Sequence, residues 1–347
     1  VGDVGKALAA FETDDDLLVA GSGPVAFGAL PFETEAPARL LVPRVVAGSV
    51  PEGIHWLTRI GEDDIADTQA TLQSPQAVRL EATSDAETWC ARVEMATRII
   101  REQRVDKVVL ARTLVVHADG PFDPVAIGAD LARRYPHSLR FCVDGFVGAS
   151  PELLVSRLGD VVRAVPMAGT TPRTGEPPRD AAAAASLLAS AKNRAEHQIT
   201  VEVVHERLLP WCSYLDIEPE PHVAPAGPVQ HLATLLEGRL SSPPPSVLDL
   251  VAALHPTPAV GGSPTSAALE VITRLEDARR GRYAGPVGWV DRHGNGAFAV
   301  GIRSVEVAGT EARISAGVGV VADSDPAAEL EECRAKFDAT LPSVIRL

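Results

Sequence analysis

The stretch Gly285-Pro286-Val287-Gly288-Trp289-Val290, with His293-Gly294-Asn295-Gly296 and the apolar run 297–307 after it, decides the fold. Two apolar runs flank a polar step whose Asn-Gly pair suits a tight antiparallel hairpin. The same signals recur outward from it. Residues 107–117 are rich in Val and Leu, 139–149 and 153–165 read as successive strands broken by Gly and Pro, and 312–320 is a further strand. Helical stretches fall between these groups. Ser84 to Glu87 has the spacing of a capping box, with Trp89, Val93, Ala96 and Ile100 following on one face. Residues 180–209 are Ala-rich and then amphipathic, and Asp325-Pro326 launches a helix through about Ala339. Hairpins grouped with hairpins, with helices between the groups, predict an α+β architecture of mostly antiparallel sheets. The strict strand–helix alternation of a dinucleotide fold is missing, and no internal repeat is present. The Pro-rich stretches 171–178 and 241–245 read as surface loops, and neither needs to be a domain boundary.

A chain of 347 residues can form one large domain or two ordinary ones. Its 46% hydrophobic and 22% charged content is that of a soluble globular protein. A net charge of −14 argues against a nucleic-acid or anionic-membrane surface, and it requires that any anionic substrate find local cationic help. Cys90, Cys142, Cys212 and Cys333 lie far apart and read as inert thiols of a reducing compartment. No apolar run reaches the length of a membrane span, and the acidic N-terminal region lacks the pattern of a signal peptide. A cytoplasmic location is expected. Because the first residue is valine, a short native start is expected to precede it.

Only four of the 32 Lys and Arg residues are lysines, and Lys107 opens the strand-like run Lys107-Val108-Val109-Leu110-Ala111-Arg112. A guanidinium cannot give up its proton in a protein, whereas a desolvated ammonium can. Lys107 is therefore a candidate base, with a solvated lysine at a strand start as the plain alternative. Glu152, between Pro151 and an apolar strand, is placed for desolvation, which raises a carboxyl pKa and favours the neutral acid. An exposed glutamate at a strand edge is the other reading. Glu196 is four residues after Lys192 in a helix, the spacing of a solvated pair. Glu329 and Glu332 share a helix face with Lys336, a pattern that suits either an ion-paired surface or a hard dication. Gly317-Val318-Gly319, at a strand end, can present amides to an anion or simply allow close packing. Arg303 interrupts an apolar strand and calls for a partner, for which a ligand carboxylate is suited.

Taken in order, these segments resemble the chorismate-utilising enzymes, most closely the isochorismate synthases. The resemblance runs from Phe27-Gly28-Ala29-Leu30-Pro31-Phe32 to the last helix. It passes through the Lys107 run, Ala149-Ser150-Pro151-Glu152, Pro166-Met167-Ala168-Gly169-Thr170, and Lys192-Asn193-Arg194-Ala195-Glu196-His197. Gln230-His231-Leu232, His255-Pro256-Thr257-Pro258-Ala259-Val260-Gly261-Gly262, Tyr283-Ala284-Gly285-Pro286 and Ala316-Gly317-Val318-Gly319 complete it. The resemblance implies one domain over 1–347, more variable in 1–84 and motif-bearing in 85–347, with two large stacked antiparallel sheets and helices outside. It implies Mg²⁺-dependent conversion of chorismate to isochorismate, with water attacking C2 as the C4 hydroxyl leaves. Lys107 matches the family's base and Glu152 its acid. Glu196, Glu329 and Glu332 match the holders of Mg²⁺. Arg303, Lys336, Tyr283 and the amides of Gly317 and Gly319 match the groups that hold carboxylates, and Gly169 and Thr170 those near the C4 hydroxyl.

The lysine at position 107 sets the chain apart from anthranilate and aminodeoxychorismate synthases, which use ammonia and a glutaminase partner; no glutaminase subunit is expected here. Ala259 and Ile302 look like isochorismate synthase, whereas Tyr283 looks like salicylate synthase, which goes on to eliminate pyruvate. A non-catalytic chorismate- or Mg²⁺-binding protein is the reading from another class; intact Lys107 and Glu152 argue against it, since binding needs neither. A monomer is expected, because nothing here requires a partner subunit.

Overall fold

In the computed structural model, residues 2–17, 19–50, 53–61, 75–102 and 104–345 are described. The hairpin of Pro286–Asp291 and Gly296–Val300 forms as expected, but its turn, residues 292–294, lies ahead of the Asn-Gly pair. Gly294, with φ of +77°, takes the left-handed position, and Gly296 already belongs to the returning strand. Asp291 closes the turn, accepting hydrogen bonds from the amides of His293 and Asn295 and from the Asn295 side chain.

Two seven-stranded sheets carry the architecture, and every strand pairing among the described residues is antiparallel. The first runs Val25–Ala29, Pro286–Asp291, Gly296–Val300, Leu153–Leu158, Val161–Ala164, Leu236–Leu240 and Cys212–Ile217. The second runs Gly262–Ser263, Lys107–Ala118, Glu311–Val320, Ser304–Ala308, Phe146–Ser150 and Leu139–Val143, with Val78–Ala82 also paired to Lys107–Ala118. A three-stranded sheet (Met167–Pro172, Val229–Ala233, His222–Ala226) and the hairpin Val45–Ser49/His55–Arg59 complete the pairing. Buried side chains from both large sheets and the helices fall in one cluster that includes Val108, Val155, Phe298 and Val318. Phe146 of the second sheet also meets Val287 and Ala299 of the first. Area removed from water at these positions is the main source of stability.

The chain crosses between the large sheets, and two of the crossings place the site. It passes from Phe146–Ser150 in the second sheet to Leu153–Leu158 in the first through Pro151-Glu152. It returns from Gly296–Val300 to Ser304–Ala308 through Gly301-Ile302-Arg303, so the apolar run 297–307 is two strands of different sheets. The crossings are bonded to each other: Val300 N donates to Glu152 O at 3.1 Å and Ala149 N to Arg303 O at 3.1 Å. Arg303 adopts φ of +51°, a costly conformation for a large side chain.

The helices differ from expectation in detail. Asp85, and not Ser84, caps Ala86–Arg101, its carboxylate accepting the Thr88 amide at 2.7 Å. A carboxylate at the N-terminus also complements the helix dipole. The stretch 180–209 is two helices, Pro177–Ala189 and Ala191–Leu208, broken at Ser190, which caps the second. Of the loop expected at 171–178, Thr171 and Pro172 end a strand and Pro177 begins a helix. The last long helix, Pro326–Phe337, starts as read, with Asp325 accepting the Ala328 amide. Among the described residues no helix is long and apolar enough to cross a membrane.

Candidate active site

Lys107 is the first residue of its strand and is 1% exposed, so it is not the solvated lysine of the plain reading. Its Nζ lies 2.8 Å from Glu196 Oε1, which reaches over from helix Ala191–Leu208. The expected helical pairing of Glu196 with Lys192 gives way to this contact, because a buried polar group must find a partner and an exposed one need not. Gly319 lies beneath both: a Cβ there would sit 2.7 Å from Glu196 Oε1 and 3.0 Å from Lys107 Cε. At Gly317 a Cβ would stand 3.1 Å from the Tyr283 hydroxyl oxygen. The strand needs glycine at both places because reactive side chains occupy the space.

The neighbouring strand Ser304–Ala308 ends its pairing at Val305–Ile314, so 315–320 has no strand partner on that edge among the described residues. On the other strand of the pair, the Val109 and Ala111 amides point away to Gly261 O and Glu276 Oε1. The alternation of an antiparallel ladder therefore turns Gly317 and Gly319 toward the open edge. Gly317 O accepts the Lys336 ammonium there at 2.7 Å.

Glu152 is 3% exposed on the first crossing. Burial pushes its carboxyl up to about 8, against the opposing pull of a hydrogen bond from the Met167 amide and the charges of Lys107 and Arg303. At neutral pH this side chain is a proton donor. Arg303 is also buried, and burial presses its guanidinium pKa down. Its Nη2 is 3.2 Å from His231 Nε2, and its Nε has no hydrogen-bond partner among the described residues. A guanidinium with donors to spare inside a cavity is a receptor for a carboxylate.

His231 fixes this corner. Burial, then the charges of Arg303 and Lys336, lower its pKa to about 3, so the ring is neutral. With Nδ1 3.0 Å from Gly169 O, the proton belongs on Nδ1 and Nε2 accepts from Arg303. Thr170 Oγ1 lies 3.2 Å from the same Nδ1. Gly169, at φ of +71°, forms the bulge in Met167–Pro172 and packs on Asn193, where a Cβ would come within 3.1 Å of the Asn193 side chain.

Lys336 is bonded to Glu332 Oε1 as well, at 2.7 Å. Burial would raise the Glu332 carboxyl, but the Lys336 ammonium and its hydrogen bond hold it below the usual range. Glu329 beside it rises to about 7 through burial and the Glu332 charge. Two adjacent carboxylates, Glu329 buried and Glu332 half-buried, one made costly by the other, fit a hard dication. Glu196 would join them only by leaving Lys107. Among the described residues no three acidic, histidine or cysteine side chains converge closely enough to form a metal site alone. Substrate or water oxygens would have to complete the shell.

One cavity gathers Lys107, Glu152, Gly169, Thr170, Glu196, Tyr283, Arg303, Gly317, Gly319, Glu332 and Lys336, while Glu329 stands outside its lining. Ala259 and Ile302 also line it. Tyr283 is buried, and burial pushes its hydroxyl up to about 12, so it stays a neutral hydrogen-bonding group. Two further lining residues escaped the residue-by-residue reading. His231 appeared only as part of a motif, and Arg280 was not singled out; the four-residue spacing of Glu276 and Arg280 was the available signal.

The family model described as chorismate binding enzyme matches residues 52–345, and the chain belongs to that family. It is 36% identical to the Bacillus subtilis isochorismate synthase DhbC over 92% of this chain and 80% of that protein. It is 34% identical to the Escherichia coli isochorismate synthase EntC, with the same coverages of 92% and 80%. The solved structure of MenF, the menaquinone-specific isochorismate synthase from Escherichia coli, superposes with a TM-score of 0.78 at 27% identity, over 92% of this chain and 78% of that one. The anthranilate synthase component I structure from Streptococcus pneumoniae shares the fold, with a TM-score of 0.77 at 22% identity, over 98% and 85% of the two chains.

Proposed function

We propose that this protein is an isochorismate synthase, exchanging the C4 hydroxyl of chorismate for a hydroxyl at C2. Carrying the reading is one observation: Lys107 and Glu152, both buried, line the same cavity, where burial favours the protonated form of Glu152. The reaction needs a base to take a proton from water as its oxygen bonds to C2, and an acid to protonate the departing C4 oxygen. The ring double bonds shift between the two, and water leaves. Lys107 is the base in this reading and Glu152 the acid. An acid with a pKa near 8 is matched to donation close to neutral pH.

Arg303, steadied by His231, receives one substrate carboxylate, and the neutral Tyr283 hydroxyl stands beside it. Thr170, beside His231, would meet the C4 hydroxyl in this reading. Glu329 and Glu332 would hold Mg²⁺, with Glu196 as the third oxygen donor when it releases Lys107. The cation would add positive charge for the other carboxylate to that of Lys336, which lines the same cavity. Support also comes from isochorismate synthases more than 30% identical over most of the chain.

The test is to incubate purified protein with chorismate, with and without Mg²⁺, and to separate the products. Accumulation of isochorismate without pyruvate is the expected result. Salicylate with stoichiometric pyruvate would instead favour salicylate synthase, the reading that Tyr283 alone resembles.

A further inference from the structure

Three hollows of the molecule meet at one side chain. Arg280 lines the chamber that holds Lys107 and Glu152. It also lines a cleft that takes in Thr83, Thr113 and Ser315, and a groove bounded by Phe32, Leu269 and Ile272. Glu276 lines the two outer hollows but not the chamber.

The Arg280 side chain is 3% exposed and that of Glu276 7%. Each guanidinium nitrogen has a target: Nε donates to Glu276 Oε2 at 2.9 Å, Nη1 to Val260 O at 2.7 Å, and Nη2 to Glu276 Oε1 at 2.5 Å and Val109 O at 2.7 Å. Glu276 Oε1 also accepts the Ala111 amide at 2.8 Å, and the Arg280 guanidinium carbon lies 4.3 Å from the Phe32 ring centroid. These bonds join the strand of Lys107 to the loop at Val260 and to the turn where Tyr283 N donates to Arg280 O. Four of the five guanidinium N–H donors are thus engaged, so the pair serves the wall more than it serves substrate. A buried pair of this kind is also a poor device for stability alone, since apolar side chains of equal volume often do as well.

We propose that the Glu276–Arg280 pair is the rear partition of the reaction chamber, closing it against the solvent of the two outer hollows. The inference rests on the assignment of Lys107 and Glu152 to that chamber. Burial is the leading cause that keeps Glu152 protonated, so a breached wall should let its carboxyl relax toward the ordinary range. Charges facing Glu152 are those of Lys107 and Arg303, with Glu196, His231, Glu332 and Lys336 in the same chamber. Arg280 itself lines this chamber with Tyr283, so Arg280→Lys, which keeps the cation, holds the charge around Glu152 while opening the wall, whereas Glu276→Gln leaves that cation unpaired.

The experiment follows the Glu152 carboxyl by NMR in protein labelled at glutamate carboxyl carbons, its signal identified by loss in Glu152→Gln. Arg280→Lys keeps the positive charge but not the forked bonds; Glu276→Gln keeps shape and one acceptor oxygen, and carries the test should the first variant not fold. The expected result, in variants folded by circular dichroism, is a midpoint lowered by at least about one unit. An unchanged midpoint in a folded variant overturns the proposal. Substrate is absent from this measurement, so its outcome is separate from whether the protein makes isochorismate.

Discussion

Lys107 Nζ and Glu196 Oε1 stand 2.8 Å apart across the gap between a strand of the second sheet and the helix Ala191–Leu208. The contact joins the residue read as base to one read as a metal holder, and Gly319 leaves no spare volume beneath it. Replacing Gly319 with alanine should force the pair apart. Turnover of chorismate by Gly319→Ala should fall about a hundredfold, since displacement of a reacting group by about 1 Å costs that much. Thermal melting should move little, and steady-state kinetics beside a melting curve checks both.

Removal of either proton carrier is the plainer test. Lys107→Ala and Glu152→Gln should each lower kcat by about 10²- to 10⁴-fold, the usual worth of a general acid or base. Circular dichroism should show both variants folded. Normal turnover by either one removes that residue from the mechanism.

The raised pKa of Glu152 has consequences for rate and stability. As an acid it must be protonated, so kcat should decline as pH rises through about 8. In the unfolded chain the group titrates near 4.5, so between about 4.5 and 8 the folded state binds the extra proton. Its contribution to stability is full below about 4.5 and is lost as pH climbs through about 8. Glu152→Gln should flatten this part of the profile, with the variant gaining in melting temperature relative to the parent as pH rises to 8.

Arg303 should act on binding. Arg303→Ala should raise KM for chorismate on the order of tenfold to a hundredfold, matching a charged hydrogen bond of about 1.5–3 kcal/mol. His231→Ala should reproduce part of that rise, because it removes the acceptor 3.2 Å from Arg303 Nη2. Initial-rate kinetics over a range of chorismate concentrations separates KM from kcat in both variants.

For the proposed cation, chelation should abolish turnover and added Mg²⁺ should restore it. Glu329→Gln and Glu332→Gln should each raise the half-saturating Mg²⁺ concentration tenfold or more, read directly by calorimetric titration.

Much of the architecture is legible in the sequence because strands, glycine turns and caps are local signals. The hairpin around Asp291 and the Asp325-Pro326 helix start are examples. The cap at Asp85 shows the limit of such signals: Ser84 and Asp85 both satisfy a cap pattern, and only the path of the chain selects between them. The division of the run 297–307 was not visible, because Arg303 at φ of +51° breaks an otherwise continuous apolar strand only when two sheets are present to share it. Glu196 was read through its helical neighbour Lys192, while its partner lies 89 positions away, at Lys107. Arg280 is satisfied by carbonyls of Val109 and Val260, and backbone acceptors leave no trace in residue type.

Isotope transfer tests the central chemistry most directly. Turnover of unlabelled chorismate in ¹⁸O-water, followed by mass spectrometry of the product, reports the origin of the C2 hydroxyl. Activation of water by the Lys107 amine, with the C4 oxygen leaving as water on a proton from Glu152, predicts one ¹⁸O atom per isochorismate, at C2. Isochorismate that carries no label would mean that the original hydroxyl migrates, and would contradict the account.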